Sequence, residues 1–86
     1  MIDYEKIKPD IREAIDLYAK EHRGTGAFLR AVLENNLWAA LARADPDNLD
    51  AIEHIVAYIF NEVPTPAWGS ARRVQNWLNK GEDNDA

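Results

Sequence analysis

The chain has 86 residues, 47% of them hydrophobic, no cysteine and a formal net charge of −5. That length sets one domain with a core near the lower limit for independent stability. The missing cysteine excludes a disulfide framework, a thiolate metal site and a cysteine nucleophile. No apolar run approaches a membrane span, and the start "MIDYEKIKPD" is too charged for a secretory signal. The expectation is a soluble, cytoplasmic protein.

The charge is unevenly placed. The end "GEDNDA" holds Glu82, Asp83 and Asp85 and no base, so residues 81–86 read as an acidic, flexible tail on a single helical domain over 1–80. Without that tail the body has ten bases and twelve acids, a net −2. Duplex DNA binding depends on neutralising phosphates, so the body's balance argues against it.

Four breaks divide the chain, at "KPD" (8–10), "RGTG" (23–26), "ADPDN" (44–48) and "VPTPAWGS" (63–70). The first helix is expected over 9–22, with Pro9 in the first turn and Gly24 as the stop. Ile11, Ile15, Tyr18 and His22 fall three and four apart on one face. The second is expected over 26–34, capped by Thr25 and striped by Phe28, Leu29, Val32 and Leu33. "ENN" at 34–36 interrupts it, because asparagine side chains compete for backbone hydrogen bonds. A third helix then runs over 36–44, with Leu37, Trp38, Ala40, Leu41 and Ala44 resuming the pattern.

Asp45 and Pro46 are a cap and a first-turn proline, opening a helix over 46–63. Its stripe is Leu49, Ile52, Val56, Ile59 and Val63, widened by Ile55 and Phe60, which suggests a central helix packed on several neighbours. Pro64 ends it. The last helix spans 71–80, capped by Ser70 and stopped by Gly81, with Ala71, Val74, Trp77 and Leu78 inward. No segment alternates with a two-residue period, so the class is all-α, a compact bundle of four to five short helices.

Chemistry-bearing constellations are few. His22 and His54 stand far apart with no second ligand at helical spacing, and "DPDNLD" lacks the glycine and closing glutamate of a calcium loop. No metal site and no cofactor is expected. Ser70, the only serine, lies in "WGSAR", which lacks the second glycine and preceding strand of a nucleophile elbow. The chain is read as no enzyme.

Two stretches suit binding. "HRGTGAF" sets Arg23, Thr25 and, a turn later, Arg30 around a helix start, where backbone amides favour anions; capping alone also accounts for its glycines and threonine. In "PTPAWGSARR", Trp68, Gly69 and Ser70 precede Arg72 and Arg73. Trp68 is either a lid folded over the central helix or a stacking platform beside two arginines. The arginine pair is the part that folding does not require.

"GTGAFLRAVLENNLWAALARADPDN", followed by "IVAYIFNEVPTPAWGSARRVQNWL", resembles small proteins of tailed phages and prophages. That family typically shows a G-x-F-L-x-A-V-L-x-N block, an R-A-D-x-x-N block and a P-x-x-x-W-G-S block followed by V-x-x-W. Here they fall on Gly26–Asn35, Arg43–Asn48 and Pro64–Ser70 with Val74 and Trp77, and Pro46 departs from the acidic or polar residue usual in the second block. The resemblance implies a phage accessory role without catalytic residues. It implies action by binding, either to a host protein in host takeover or anti-defence, or, as a homo-oligomeric sponge, to a small anionic nucleotide signal.

Overall fold

Among the described residues six helices form: α1 (Pro9–Glu21), α2 (Ala27–Leu33), α3 (Leu37–Arg43), α4 (Pro46–Asp50), α5 (Ile52–Glu62) and α6 (Ala71–Asp83). Turns of 3₁₀ helix stand at Tyr4–Lys6 and Thr65–Ala67. The computed structural model describes residues 1–83, and no strand occurs among them, so the architecture is the all-α bundle that the periodicities predict. The centre of the core is built from Ile7, Ile15, Tyr18, Leu33, Ile55 and Val74, each fully buried and together drawn from the N-terminal stretch and from α1, α2, α5 and α6. Each aliphatic member contributes on the order of 1.5–3 kcal/mol by leaving water.

Local chemistry sets most boundaries. Asp45 Oδ1 accepts from the Asn48 amide at 2.7 Å and Pro46 follows in the first turn of α4. The other Asp45 oxygen takes the Lys8 ammonium at 2.8 Å, so both oxygens of this aspartate are used structurally. That contact holds the Asp45 carboxyl below its ordinary range and raises the Lys8 ammonium. Between α2 and α3, Asn35 adopts left-handed backbone (φ 61°) and the Asn36 side chain accepts from the Ala39 amide at 3.2 Å. The asparagine pair therefore divides two helices, as its composition predicts. At Ser70, Oγ accepts from the Arg73 amide at 3.1 Å and starts α6.

Several expectations need correction. Gly24 does not stop α1; His22 does, in left-handed backbone (φ 57°). Histidine tolerates this region better than most side chains, and here its ring is held 4.5 Å from Trp77, with Nδ1 2.9 Å from the Trp77 carbonyl. Thr25 does not cap α2. Its hydroxyl donates to the Gly26 carbonyl at 3.2 Å, and Gly26 occupies the cap position. Gly81 does not end α6, which continues to Asp83. A Cβ at Gly81 would lie 2.9 Å from the His22 Cβ, so this glycine lets α6 approach the end of α1. The remainder of the expected tail, 84–86, lies outside the described residues.

The 46–63 segment bends at Ala51 (φ −98°, ψ 2°), which closes α4 and opens α5. Its buried face is also rotated from the expected stripe. His54, Ile55, Tyr58, Ile59 and Val63 are inside, whereas Leu49, Val56 and Phe60 are exposed. His54 can turn inward because its Nδ1 accepts the Asp3 amide at 3.0 Å. Tyr58 can because its hydroxyl donates to Asp16 Oδ1 at 2.5 Å. Ala71 points outward rather than in, and of α3 only Ala40 is buried.

The Tyr18 hydroxyl donates to the Ala67 carbonyl at 2.7 Å, tying α1 to the loop before α6. Burial pushes this phenol up to about 12. A raised pKa means the folded protein disfavours the phenolate, so the contribution of Tyr18 is complete below pH ~10 and is lost as pH climbs through ~12. Tyr18→Phe is expected to leave the Ala67 carbonyl without its donor and to reduce stability by about 1–3 kcal/mol. It should also remove the highest-pH step from a spectrophotometric tyrosine titration. Gly81→Ala is expected to lower the melting temperature, by the equivalent of about 1 kcal/mol of overpacking. In an unobstructed helix interior the same change raises stability by about 1 kcal/mol, so the sign checks the contact with His22.

Candidate functional site: a cationic cleft on the last helix

The loop 64–70 positions this site. Tyr18 fixes the Ala67 carbonyl, and Ala67 itself is wholly buried. The Trp68 indole Nε1 donates to the Val63 carbonyl at 3.0 Å. Gly69 donates its amide to the Leu33 carbonyl at 2.7 Å, capping the end of α2, and does so with φ 112°, backbone that a β-carbon would strain. Three anchors from α1, α2 and α5 thus set where Ser70 launches α6.

On α6, Arg73, Asn76, Trp77 and Lys80 are spaced three, four and seven residues apart, which aligns them along one side of a helix. With Thr65 and Pro66 of the loop they line a cleft of about 360 Å³. Arg73 Nη1 reaches the Thr65 carbonyl at 3.5 Å and the Trp68 carbonyl at 3.4 Å, two long contacts that orient the guanidinium without neutralising it. The Lys80 ammonium stands 4.9 Å over the Trp77 ring. The Trp77 indole donates to the Tyr18 carbonyl at 2.8 Å, which fixes its plane. Arg72 is exposed, does not line the cleft, and makes no ion pair with any described residue.

The eight residues singled out from sequence do not form one site. Trp68 is half-buried, 5.7 Å from Phe60, and behaves as a lid on α5. The cation–π contacts among the described residues are Arg12 with Tyr58 and Lys80 with Trp77, and neither involves Trp68. Gly69 and Ser70 serve the turn and the cap. Arg23 and Arg30 line a separate open cleft with Gln75 and Leu78. There Arg23 lies 3.5 Å from Glu21, and Arg30 bonds Glu34 at 3.0 Å and Gln75 at 3.3 Å. Thr25 makes only its local bond to Gly26. Arg73 alone of the sequence-derived set lines the cleft on α6. Asn76, Trp77, Lys80, Thr65 and Pro66 were not anticipated, although the helical spacing from Arg73 carries the first three.

No protein-family model, curated protein or solved structure matches this chain. Trp68→Ala is expected to reduce stability by about 3–5 kcal/mol, as truncation of a packed aromatic does. Arg72→Ala should change it by no more than ~0.5 kcal/mol. Chemical denaturation of the two variants separates the lid from the surface charge.

Proposed function

We propose that this protein is a non-enzymatic binding protein whose cleft on α6 receives an acidic group of a partner protein. The resemblance to tailed-phage accessory proteins supplies the context: the partner is a bacterial host protein, occluded in host takeover or anti-defence. The observation that carries this reading is the convergence of Arg73, Asn76 and Lys80 on one cleft in a chain of net charge −5. The acidic remainder repels an acidic partner, so its approach is steered to this face. A guanidinium already oriented by two carbonyls meets a carboxylate with less loss of freedom than a mobile one. The groups that a hydrolase would need support the same reading. Ser70 Oγ is engaged in the α6 cap, His54 Nδ1 takes the Asp3 amide, and His22 Nδ1 faces the Trp77 carbonyl.

A second reading rests on the size of the cleft. A volume of about 360 Å³ falls within the ~300–1,000 Å³ of small-ligand sites, and its lining pairs two cations with an aromatic ring. A homo-oligomeric sponge for an anionic nucleotide would use the same residues, with a second copy closing the open side.

The test is a partner captured from bacterial lysate, identified, and titrated against purified wild-type and Arg73→Glu/Lys80→Glu proteins. The double variant is expected to weaken binding at least tenfold, and rising salt to weaken the wild-type complex. Equal affinities for the two proteins would dismiss the cleft as the contact. The nucleotide reading is checked by melting with cyclic and linear nucleotides, where a ligand at 100 times its Kd adds about 2.7 kcal/mol. No shift with any of them would discard the sponge.

A further inference from the structure

We propose that the uncovered apolar face of α3 and α5 is the contact between two copies of this chain, paired about a two-fold axis with Trp38 of each seated in the groove of the other. This inference is independent of the cleft on α6. Along α5, one side of the apolar stripe is left largely uncovered, with Trp68 only at its edge: Val56 is 50% exposed and Phe60 68%. On α3, Leu37 is 61% exposed, Leu41 43% and Trp38 86%. Leu37, Val56 and Phe60 line one groove of about 220 Å³, floored by Ala40 and Ile59 and closed at one side by Trp68. Leu41 lies one turn from Leu37, and the exposed Trp38 follows Leu37 on the same helix.

The area is large for a lone molecule. The five exposed fractions amount to about three complete large side chains, or roughly 600 Å² at ~150–250 Å² each. That reaches the top of the ~300–600 Å² range for the largest apolar patch of a monomer. It also supplies most of the ~800 Å² that each member of a standard interface contributes. The exposed Asn35 and Asn36, which also line the groove, form a polar rim at its α3 end.

The occupant follows from what the face is made of. Residues 37–42 carry no charge, and the groove lining has no ionisable side chain, so nothing in it selects a charged partner. It does carry both halves of a fit, an exposed aromatic and an apolar hollow. A two-fold pairing applies each half to the other, which is the self-complementarity that an isologous contact requires. Aromatic anchors of this kind dominate interface energies. Two copies of net charge −5 repel at long range, so added salt should strengthen the pair rather than weaken it.

Sedimentation of the full chain, from micromolar to millimolar concentration and at low and high salt, tests the proposal. Expected are a concentration-dependent dimer, tighter at high salt, and at least a tenfold rise in its Kd for Trp38→Ala and for Val56→Glu. Both variants should keep the wild-type far-ultraviolet circular dichroism, since both side chains are outside the core. Arg73→Glu should dimerise like the wild type. A wild-type chain that stays monomeric throughout would overturn the proposal. So would a dimer that loosens with salt, or one that both folded variants form unchanged.

Discussion

The hydrogen bond from the Tyr18 hydroxyl to the Ala67 carbonyl decides where the second half of the chain sits. Tyr18 is on the buried face of α1, and its own carbonyl accepts the Trp77 indole at 2.8 Å. One residue therefore holds both the loop before α6 and the helix after it. With Ala67 fixed, Trp68 reaches Val63 and Gly69 reaches Leu33, so α2 and α5 are joined to the same short stretch. A buried carbonyl without a donor costs about 1–3 kcal/mol. In a domain whose whole stability is only ~5–15 kcal/mol, such a bond is a large share. The proline-rich loop is thus a fastening for four helices, and the cationic cleft is a consequence of where that fastening releases α6.

Features governed by local chemistry were legible in the sequence. Asn35–Asn36, Asp45–Pro46, Pro64 and Ser70 act through their own backbone or side-chain bonds over a few residues, and all stand where composition places them. Features decided at long range were not. His22 takes the left-handed position that Gly24 was expected to fill because its ring meets Trp77, 55 residues along the chain. Gly81 has the composition of a stop, but its use depends on the proximity of His22. The stripe on α5 was read correctly as apolar, yet periodicity cannot say which half finds a cover. Tyr58 and His54 displaced Val56 and Phe60 from the interior because Asp16 and Asp3 were there to satisfy their polar atoms.

The candidate site divides in the same way. The arginine pair was visible as charge that folding does not need. Trp77 was assigned to the inner face of α6, and it does pack there, but its edge also lines the cleft. An amphipathic ring can do both, with the indole N–H bonded inward and the plane offered to a cation. Trp68, the more conspicuous tryptophan beside the arginines, is committed to the fold instead. Position in sequence brought it near the charges; the anchors at Val63 and Phe60 turned it to another face.

A chain this short cannot cover everything that its helices offer. Six helices, two of seven residues and one of five, present more apolar edge than so small a body can enclose. Much of what remains outside lies on α3 and α5, whereas Arg73 and Lys80 share the cleft on α6, a helix that begins on the far side of the 64–70 loop. The separation has a mechanical consequence. Pairing through the apolar face leaves the cleft lining free, so a two-fold assembly presents two cationic clefts held at a fixed spacing. A partner or ligand bearing two acidic groups at that spacing would meet the second cleft at high effective concentration, and its residence would exceed that on either alone. Weak electrostatic contacts on a small surface then suffice for durable occupation, which is what the proposed binding role requires.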